Sequence, residues 1–107
     1  MKLILAIIST DDTKACISAL NKASYHVTRL ATTGGFLSSG NTTLLIGCED
    51  REVDRAIEII SAESQRRKEA VPTTMTTDVS SLVSYPIEVE VGGATVFILN
   101  VEEFKKL

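Results

Sequence analysis

Residues 3–12, LILAIISTDD, decide how the chain begins to fold. The first six are all apolar, which is typical of a strand in the interior of a sheet. The two aspartates at the end can cap a helix, because carboxylate oxygens accept hydrogen bonds from the free N–H groups of a first helical turn. We therefore predict a strand over residues 1–9 and a helix that starts at Asp11 or Asp12.

Strand and helix patterns alternate along the rest of the chain. Runs of β-branched and aromatic residues predict strands, and apolar residues at helical spacing predict helices. After the first helix, the predicted elements are a strand at 25–33, a strand at 42–48, a helix from 50 to about 66, a strand at 87–91 and a strand at 94–101. Gly92 and Gly93 can supply the two positive φ angles of a tight hairpin between the last two strands. Residues 101–107 are predicted to form a short helix or a tail.

The predicted order of elements, β-α-β-β-α-β-β, indicates an α+β fold. Its first six elements form the ferredoxin-like βαββαβ pattern, and the final hairpin adds an extra C-terminal strand. Two helices would cover one sheet face and leave the other apolar, which favours an oligomer. Residues 66–84 are rich in Thr and Ser and have no period, so we predict a long loop there, within a single domain of residues 1–107.

Composition excludes several classes of function. The net charge is −3 and the longest basic run is only three residues, at 66–68, so binding to a nucleic-acid polymer has little electrostatic support. The N-terminal apolar run is far shorter than the ~20 residues that cross a bilayer, and it is a poor secretion signal. We therefore expect a cytoplasmic protein with no membrane partner. Cys16 and Cys48 are far apart and only one histidine is present, which predicts free buried thiols rather than a disulfide or metal site.

Catalysis has little support in this sequence. No pair of carboxylates stands out as an acid and a base, and there is no phosphate-binding motif of the Walker or dinucleotide type. The carboxylates at the predicted helix starts are better explained as caps: Asp11, Asp12, Glu49 and Asp50. We expect no catalytic residues, no metal and no cofactor.

A binding loop is better supported, by the stretch ATTGGFLSSGNTT at residues 31–43. Gly34 and Gly35 let the backbone turn its N–H groups toward one point and let a ligand come close. Phe36 and Leu37 offer apolar contact to a flat ring, and the Asn41 amide suits the edge of an adenine. These features favour a nucleotide site. A plain hairpin with Phe36 packed on its own protein remains the alternative, and composition does not decide between them.

Two stretches of the chain resemble the PII-like cyclic-di-AMP receptor family: RLATTGGFLSSGNTT at residues 29–43 and YPIEVEVGGATVFIL at residues 85–99. The resemblance covers essentially the whole chain. It implies a ferredoxin-like homotrimer with one cyclic-di-AMP in each of three clefts between subunits. It also implies a regulatory receptor without a catalytic reaction, which acts on a downstream protein that the sequence does not name.

The resemblance implies ligand contacts in the first motif. Gly35, Phe36 and Leu37 match the loop that lies over the ligand. Asn41 matches a position that reads an adenine edge, and the backbone at Gly47 matches another.

Further contacts are implied outside that loop, and two of them depart from the family. Thr28 matches a position near phosphate and ribose, and Phe97 matches an aromatic that lies against the ligand. His26 stands where several members carry an arginine, which is always charged and can donate two hydrogen bonds to a phosphate. Lys106 stands where members can carry a glutamine, and its charge could compensate for His26.

Two other functions therefore remain open. One is a PII-like sensor of another adenine nucleotide, with His26 marking the altered pocket. The other is a trimeric interaction module without a ligand, which presents residues 70–84 to another protein.

Overall fold

A computed structural model of the chain describes residues 1–30, 40–72 and 86–107. The elements are β1 (Lys2–Ser9), α1 (Thr10–Lys22), β2 (Val27–Arg29), β3 (Asn41–Cys48), a 3₁₀ turn (Asp50–Glu52), α2 (Val53–Glu63), β4 (Arg67–Pro72), β5 (Pro86–Val91) and β6 (Ala94–Asn100). The main sheet has the order β2-β3-β1-β6, and β4 and β5 form a separate two-stranded sheet, here called the ribbon. All of these strand pairs are antiparallel.

The predicted α+β class and ferredoxin-like pattern are confirmed by the main sheet and the two helices. β1, α1, β2, β3, α2 and β6 follow the βαββαβ order, and β6 takes the place of the last strand beside β1. The position of the additional structure is a correction. We predicted one extra strand at the C-terminus, whereas the ribbon is inserted between α2 and the last strand.

The predicted hairpin between the last two strands is wrong. Gly92 and Gly93 do have the positive φ angles that the prediction required, +84° and +83°. However, β5 pairs with β4 in the ribbon and β6 pairs with β1 in the main sheet. The two glycines therefore carry the chain from one sheet to the other. The Gly93 N–H donates to the Ser64 carbonyl, so the chain returns to the body where it left α2.

Part of the predicted long loop at 66–84 is also wrong, because residues 67–72 form a strand. That strand, RKEAVP, has no clear alternation of its own, and it is ordered by its ladder with β5, from Arg67↔Val91 to Pro72↔Pro86. Such pairing depends on a partner that is distant in sequence, which local propensity does not reveal. The rest of the predicted loop, residues 73–84, lies outside the described residues. Residues 101–107 form neither helix nor strand, so the tail alternative is confirmed.

The helix starts differ from the expected caps at α1. The helix begins at Thr10, with Ser9 as an N-cap that makes no side-chain capping bond. The capping predictions for Asp11 and Asp12 are therefore wrong. Asp12 instead accepts two hydrogen bonds from the Arg67 guanidinium, 3.0 Å from Nη2 to Oδ1 and 3.3 Å from Nη1 to Oδ2. This ion pair ties the start of the ribbon to the first turn of α1.

The second helical segment follows its prediction more closely. Glu49 is the N-cap of the 3₁₀ turn, and its N–H donates to Glu52 Oε1 at 3.4 Å. Asp50 is the first residue of the turn rather than its cap.

Tyr25 was predicted to lie in the second strand, but it precedes β2. It is buried, and its hydroxyl donates to the Glu52 carbonyl at 2.7 Å.

The two faces of the main sheet are covered unequally. On one face, side chains of β1 and β3 pack against α1 and α2 and are almost fully buried, namely Ile4, Ala6, Ile8, Leu44 and Ile46. The opposite face, here called the open face, has no helix over it in the described part of the chain. It carries the alternate residues of the same strands and of β6: Leu3, Leu5, Ile7, Leu45, Phe97 and Leu99.

Candidate functional site

A groove lies on the open face, at the end of the sheet where β3 finishes. We call it the tail groove, because the residues that follow β6 form one of its walls. Its volume is about 610 Å³, which is within the usual range of small-molecule sites. Its lining residues come from β1, β2, β3 and the C-terminal tail: Met1, Leu3, His26, Thr28, Leu45, Gly47, Val101, Phe104, Lys105 and Lys106.

Strand register explains why these distant segments meet. Thr28 lies opposite Leu45 in the β2–β3 ladder, and Leu3 lies opposite Gly47 in the β1–β3 ladder. The Val101 N–H donates to the Met1 carbonyl at 3.2 Å, which starts the tail alongside β1. The structure thus brings together four of the residues predicted from the sequence, His26, Thr28, Gly47 and Lys106.

The chemistry of the tail groove suits an apolar ring that carries an anionic group. Aliphatic side chains and Phe104 supply an apolar surface, and two lysines and a histidine also line the groove. Among the described residues that line it, none is acidic. Lys105 also pairs with Glu103, 3.1 Å from Nζ to Oε1. Gly47 is exposed, and a Cβ there would meet only the Met1 side chain, at 3.6 Å, so its backbone stays open to a close approach.

Asn41 lies at the opposite end of β3 from Gly47. The two are six positions apart along the strand, which is about 20 Å. Asn41 lines a second and smaller cavity of about 210 Å³, here called the ribbon-base cavity, with Ile7, Ser9, Arg66, Gly92, Gly93, Ala94 and Thr95. Within one chain, the structure therefore separates Asn41 from the four predicted ligand residues that line the tail groove.

The remaining predicted site residues belong to neither group. Phe97 lies near the middle of β6, opposite Leu5, and 53% of its surface is exposed on the open face. Gly35, Phe36 and Leu37 lie outside the described residues, and so their predicted contacts stay predictions.

The sequence analysis missed several residues of the tail groove, above all Phe104 and Lys105. Phe104 is 64% exposed, and its ring forms part of the apolar lining of the tail groove. The available signal was the segment FKK at residues 104–106, an aromatic beside two lysines directly after the last strand.

Two kinds of feature are absent from the part of the chain that the structure describes: a cluster of metal-ligating side chains and a helix able to cross a membrane. No three side chains of the metal-ligating types gather there. Over the same residues, no helix combines the length and the apolar character needed to cross a bilayer.

Comparison with known proteins gives the family of this chain. Its fold is similar to the crystal structure of a functionally unknown protein from Pediococcus pentosaceus ATCC 25745, with a TM-score of 0.74 and 40% sequence identity over 99% of this chain and 96% of the other. The profile of the family described as "Cyclic-di-AMP receptor" matches residues 1–107. The chain therefore belongs to the cyclic-di-AMP receptor family.

Proposed function

We propose that this protein is a non-enzymatic cytoplasmic receptor that binds cyclic-di-AMP and needs no cofactor. The observation that carries the proposal is the tail groove, where His26, Thr28, Gly47 and Lys106 line one cavity although they come from three parts of the chain. Family membership names the ligand class. Cyclic-di-AMP offers flat adenine rings for the apolar surface and phosphates for the cations.

The ligand is proposed to lie between two subunits, because one chain separates its candidate residues. The tail groove and Asn41 are at opposite ends of β3, with apolar side chains of the open face between them. A nucleotide that uses both sets takes the tail groove from one subunit and the Asn41 end from a neighbour. A homotrimer, which the family resemblance implies, would form three such clefts.

The open face supports this assembly. β6 is fully paired with β1 in the main sheet, yet its side chains Phe97 and Leu99 remain 53% and 46% exposed in the single chain. Contiguous apolar surface of this kind is a common mark of subunit contacts. A second and a third copy of the chain would cover it.

Signal transmission is proposed to run through the base of the ribbon toward a downstream protein. The ribbon meets the body at the Asp12–Arg67 ion pair and at the hydrogen bond from Gly93 to Ser64, close to the Asn41 end of β3. A ligand can change the ribbon only by binding one of its arrangements more tightly than another.

Calorimetry with cyclic-di-AMP, cyclic-di-GMP, ATP and AMP tests the ligand. We expect tight binding of cyclic-di-AMP alone, and a loss of about tenfold or more in Lys106→Ala, since a hydrogen bond to a charged group is lost. Lys14→Ala is the matched control, because Lys14 is exposed on α1, on the other side of the sheet. Preference for ATP or AMP would favour a sensor of another adenine nucleotide, and no binding at all would favour a ligand-free interaction module.

Mixed trimers test the shared cleft. Lys106→Ala damages the tail-groove half of each cleft, and Asn41→Ala damages the other half. If each cleft takes its halves from two subunits, refolding the two variants together restores one intact cleft in every mixed trimer. Failure of the mixture to regain any high-affinity binding would contradict the two-subunit cleft, provided that mass spectrometry shows mixed trimers.

A further inference from the structure

Arg66 is a cation at the Asn41 end of β3 that neither the sequence motifs nor the tail groove includes. It stands between the end of α2 and the start of β4 and lines the ribbon-base cavity together with Asn41 and Ser9. The cavity is bordered by the ends of β1 and β3 and by the Gly92–Gly93 connection. A positive charge therefore lies beside the amide that is predicted to read an adenine.

The Arg66 side chain packs against the backbone of Gly93, in the connection between β5 and β6. A Cβ on Gly93 would lie 3.0 Å from Arg66 Cγ and 3.2 Å from its Nε, so the arginine stem packs where any other residue would place its own side chain. Gly93 also has a φ of +83°, which other residues rarely adopt. Arg66 thus packs against the Gly93 backbone and lines the ribbon-base cavity beside it.

Arg66 can exchange its present ionic contact for a ligand. It pairs with Glu90 at a long distance, 3.6 Å from Nη1 to Oε1, and the two side chains are 78% and 62% exposed. Ion pairs of this kind are weak because water screens them. A phosphate offers the guanidinium two parallel hydrogen bonds, which are shorter and stronger.

Two acidic side chains near this end of β3 make a nearby cation important for the binding of an anion. Glu90 and Asp11 line an adjoining cavity together with Gly40 and Asn41. Their negative charge would repel a phosphate placed beside Asn41, unless a cation compensated for it. Among the described residues that line the ribbon-base cavity, Arg66 is the cation.

We propose that Arg66 is a ligand-binding residue that binds a phosphate of the nucleotide at the Asn41 end of β3 and releases Glu90 as it does so. This inference rests on the proposed function. Cyclic-di-AMP has two phosphates, so one would meet Arg66 and the other would meet the cations of the tail groove in the neighbouring subunit. Because Arg66 adjoins the first residue of β4 and Glu90 lies in β5, the exchange also changes the contact between the two strands of the ribbon.

Titration calorimetry of the full chain with cyclic-di-AMP tests the inference. We expect Arg66→Ala to weaken binding about tenfold or more, and Arg66→Lys to lose less because it keeps the charge but not the paired hydrogen bonds. The difference between the wild type and Arg66→Ala should shrink in 1 M salt. Arg55→Ala is the matched control, because Arg55 is an exposed arginine of α2 that lines neither the tail groove nor the ribbon-base cavity.

Glu90→Gln separates ligand binding from a structural role of the ion pair. Removing the competing carboxylate should tighten binding by a few-fold, whereas an ion pair that only stabilised the ribbon would make Glu90→Gln as harmful as Arg66→Ala. Thermal unfolding of each variant shows whether it is folded. Binding by the wild type that is unchanged in Arg66→Ala overturns this inference alone. A wild type that does not bind cyclic-di-AMP overturns the proposed function, and this inference with it.

Discussion

The two faces of the main sheet are built from the same strands and from similar residues, but a single chain completes only one of them. On the helix side, Ile4 and Leu44 are fully buried. On the open face, the neighbouring side chains of Leu3 and Leu45 are only partly buried, and Leu99 is 46% exposed. The contrast separates residues that stabilise the folded chain from residues that are available for subunits and ligand.

The largest effect is expected from a pair of adjacent leucines in β3. Leu44→Ala should lower the free energy of unfolding by about 2–5 kcal/mol, because it leaves a cavity in a packed core. Leu45→Ala should lower the free energy of unfolding clearly less, since the Leu45 side chain is only partly buried in the single chain. It should also weaken ligand binding, because Leu45 lines the tail groove. If both variants lost the same free energy of unfolding at one low protein concentration, the proposed difference between the two faces would be wrong.

The next effect concerns assembly and uses two neighbours in β6. Leu99 and Ile98 are 46% and 47% exposed, but their side chains point to opposite faces. Leu99→Lys should weaken self-association by about tenfold or more, because it places a charge in the proposed subunit contact. Ile98→Lys should leave the assembly intact. Sedimentation velocity over a range of concentrations measures both, and a result in which only Ile98→Lys dissociates the protein would place the contact on the helix side.

A smaller effect on stability is expected where the ribbon contacts α1, on the helix side of the sheet. Asp12→Ala removes the carboxylate that accepts two hydrogen bonds from Arg67, at an expected cost of about 1 kcal/mol. Hydrogen exchange of the β4 amides should become faster. Asp11→Ala is the control, since Asp11 is an exposed neighbour in the same helical turn. Unchanged exchange in Asp12→Ala would mean that the ion pair does not hold the ribbon.

The last prediction concerns the two thiols, which lie on the helix side of the sheet and whose labelling tests the folded state without any substitution. Burial, followed by the nearby Glu63 and Asp12 carboxylates, raises the pKa of Cys16 to about 11, and burial also raises the pKa of Cys48. A raised thiol pKa favours the protonated form, so at pH 8 only about one in a thousand Cys16 side chains is the reactive thiolate. We expect very slow alkylation of the native protein by iodoacetamide, followed by mass spectrometry, and rapid alkylation in denaturant. Fast native labelling of Cys16 would show that the covered side opens.

Local patterns were sufficient for most of the fold. The apolar run of β1 and the apolar stripe of α2 identified the core elements, because burial on a strand or a helix imposes a period on the sequence. Local patterns failed where the structure of a segment depends on pairing with a segment that is distant in the sequence. β4 forms only because β5 pairs with it, and Gly92 and Gly93 supply the angles of a turn without fixing which strands it joins.

The candidate site was predictable to a lesser degree. Nothing local indicates that His26, Gly47 and Lys106 meet, and that grouping depends on the β1–β3 and β2–β3 registers and on the course of the tail. Family resemblance supplied the residues, while the structure supplied their separation from Asn41. Phe104 and Arg66 were missed because an aromatic in a tail and an arginine between two elements follow no period.

The hydrogen bond from Gly93 to Ser64 has a consequence for how such chains can diversify. The backbone leaves the body after α2 and returns to it at a point one hydrogen bond away. The described part of the ribbon beyond Arg66, Arg67 and Glu90 can therefore change in sequence without stretching the βαββαβ body, because the spacing of the two attachment points is set by the body itself. The ribbon is thus a natural site for insertion and exchange, at which related chains could acquire different partners while they keep the same nucleotide site.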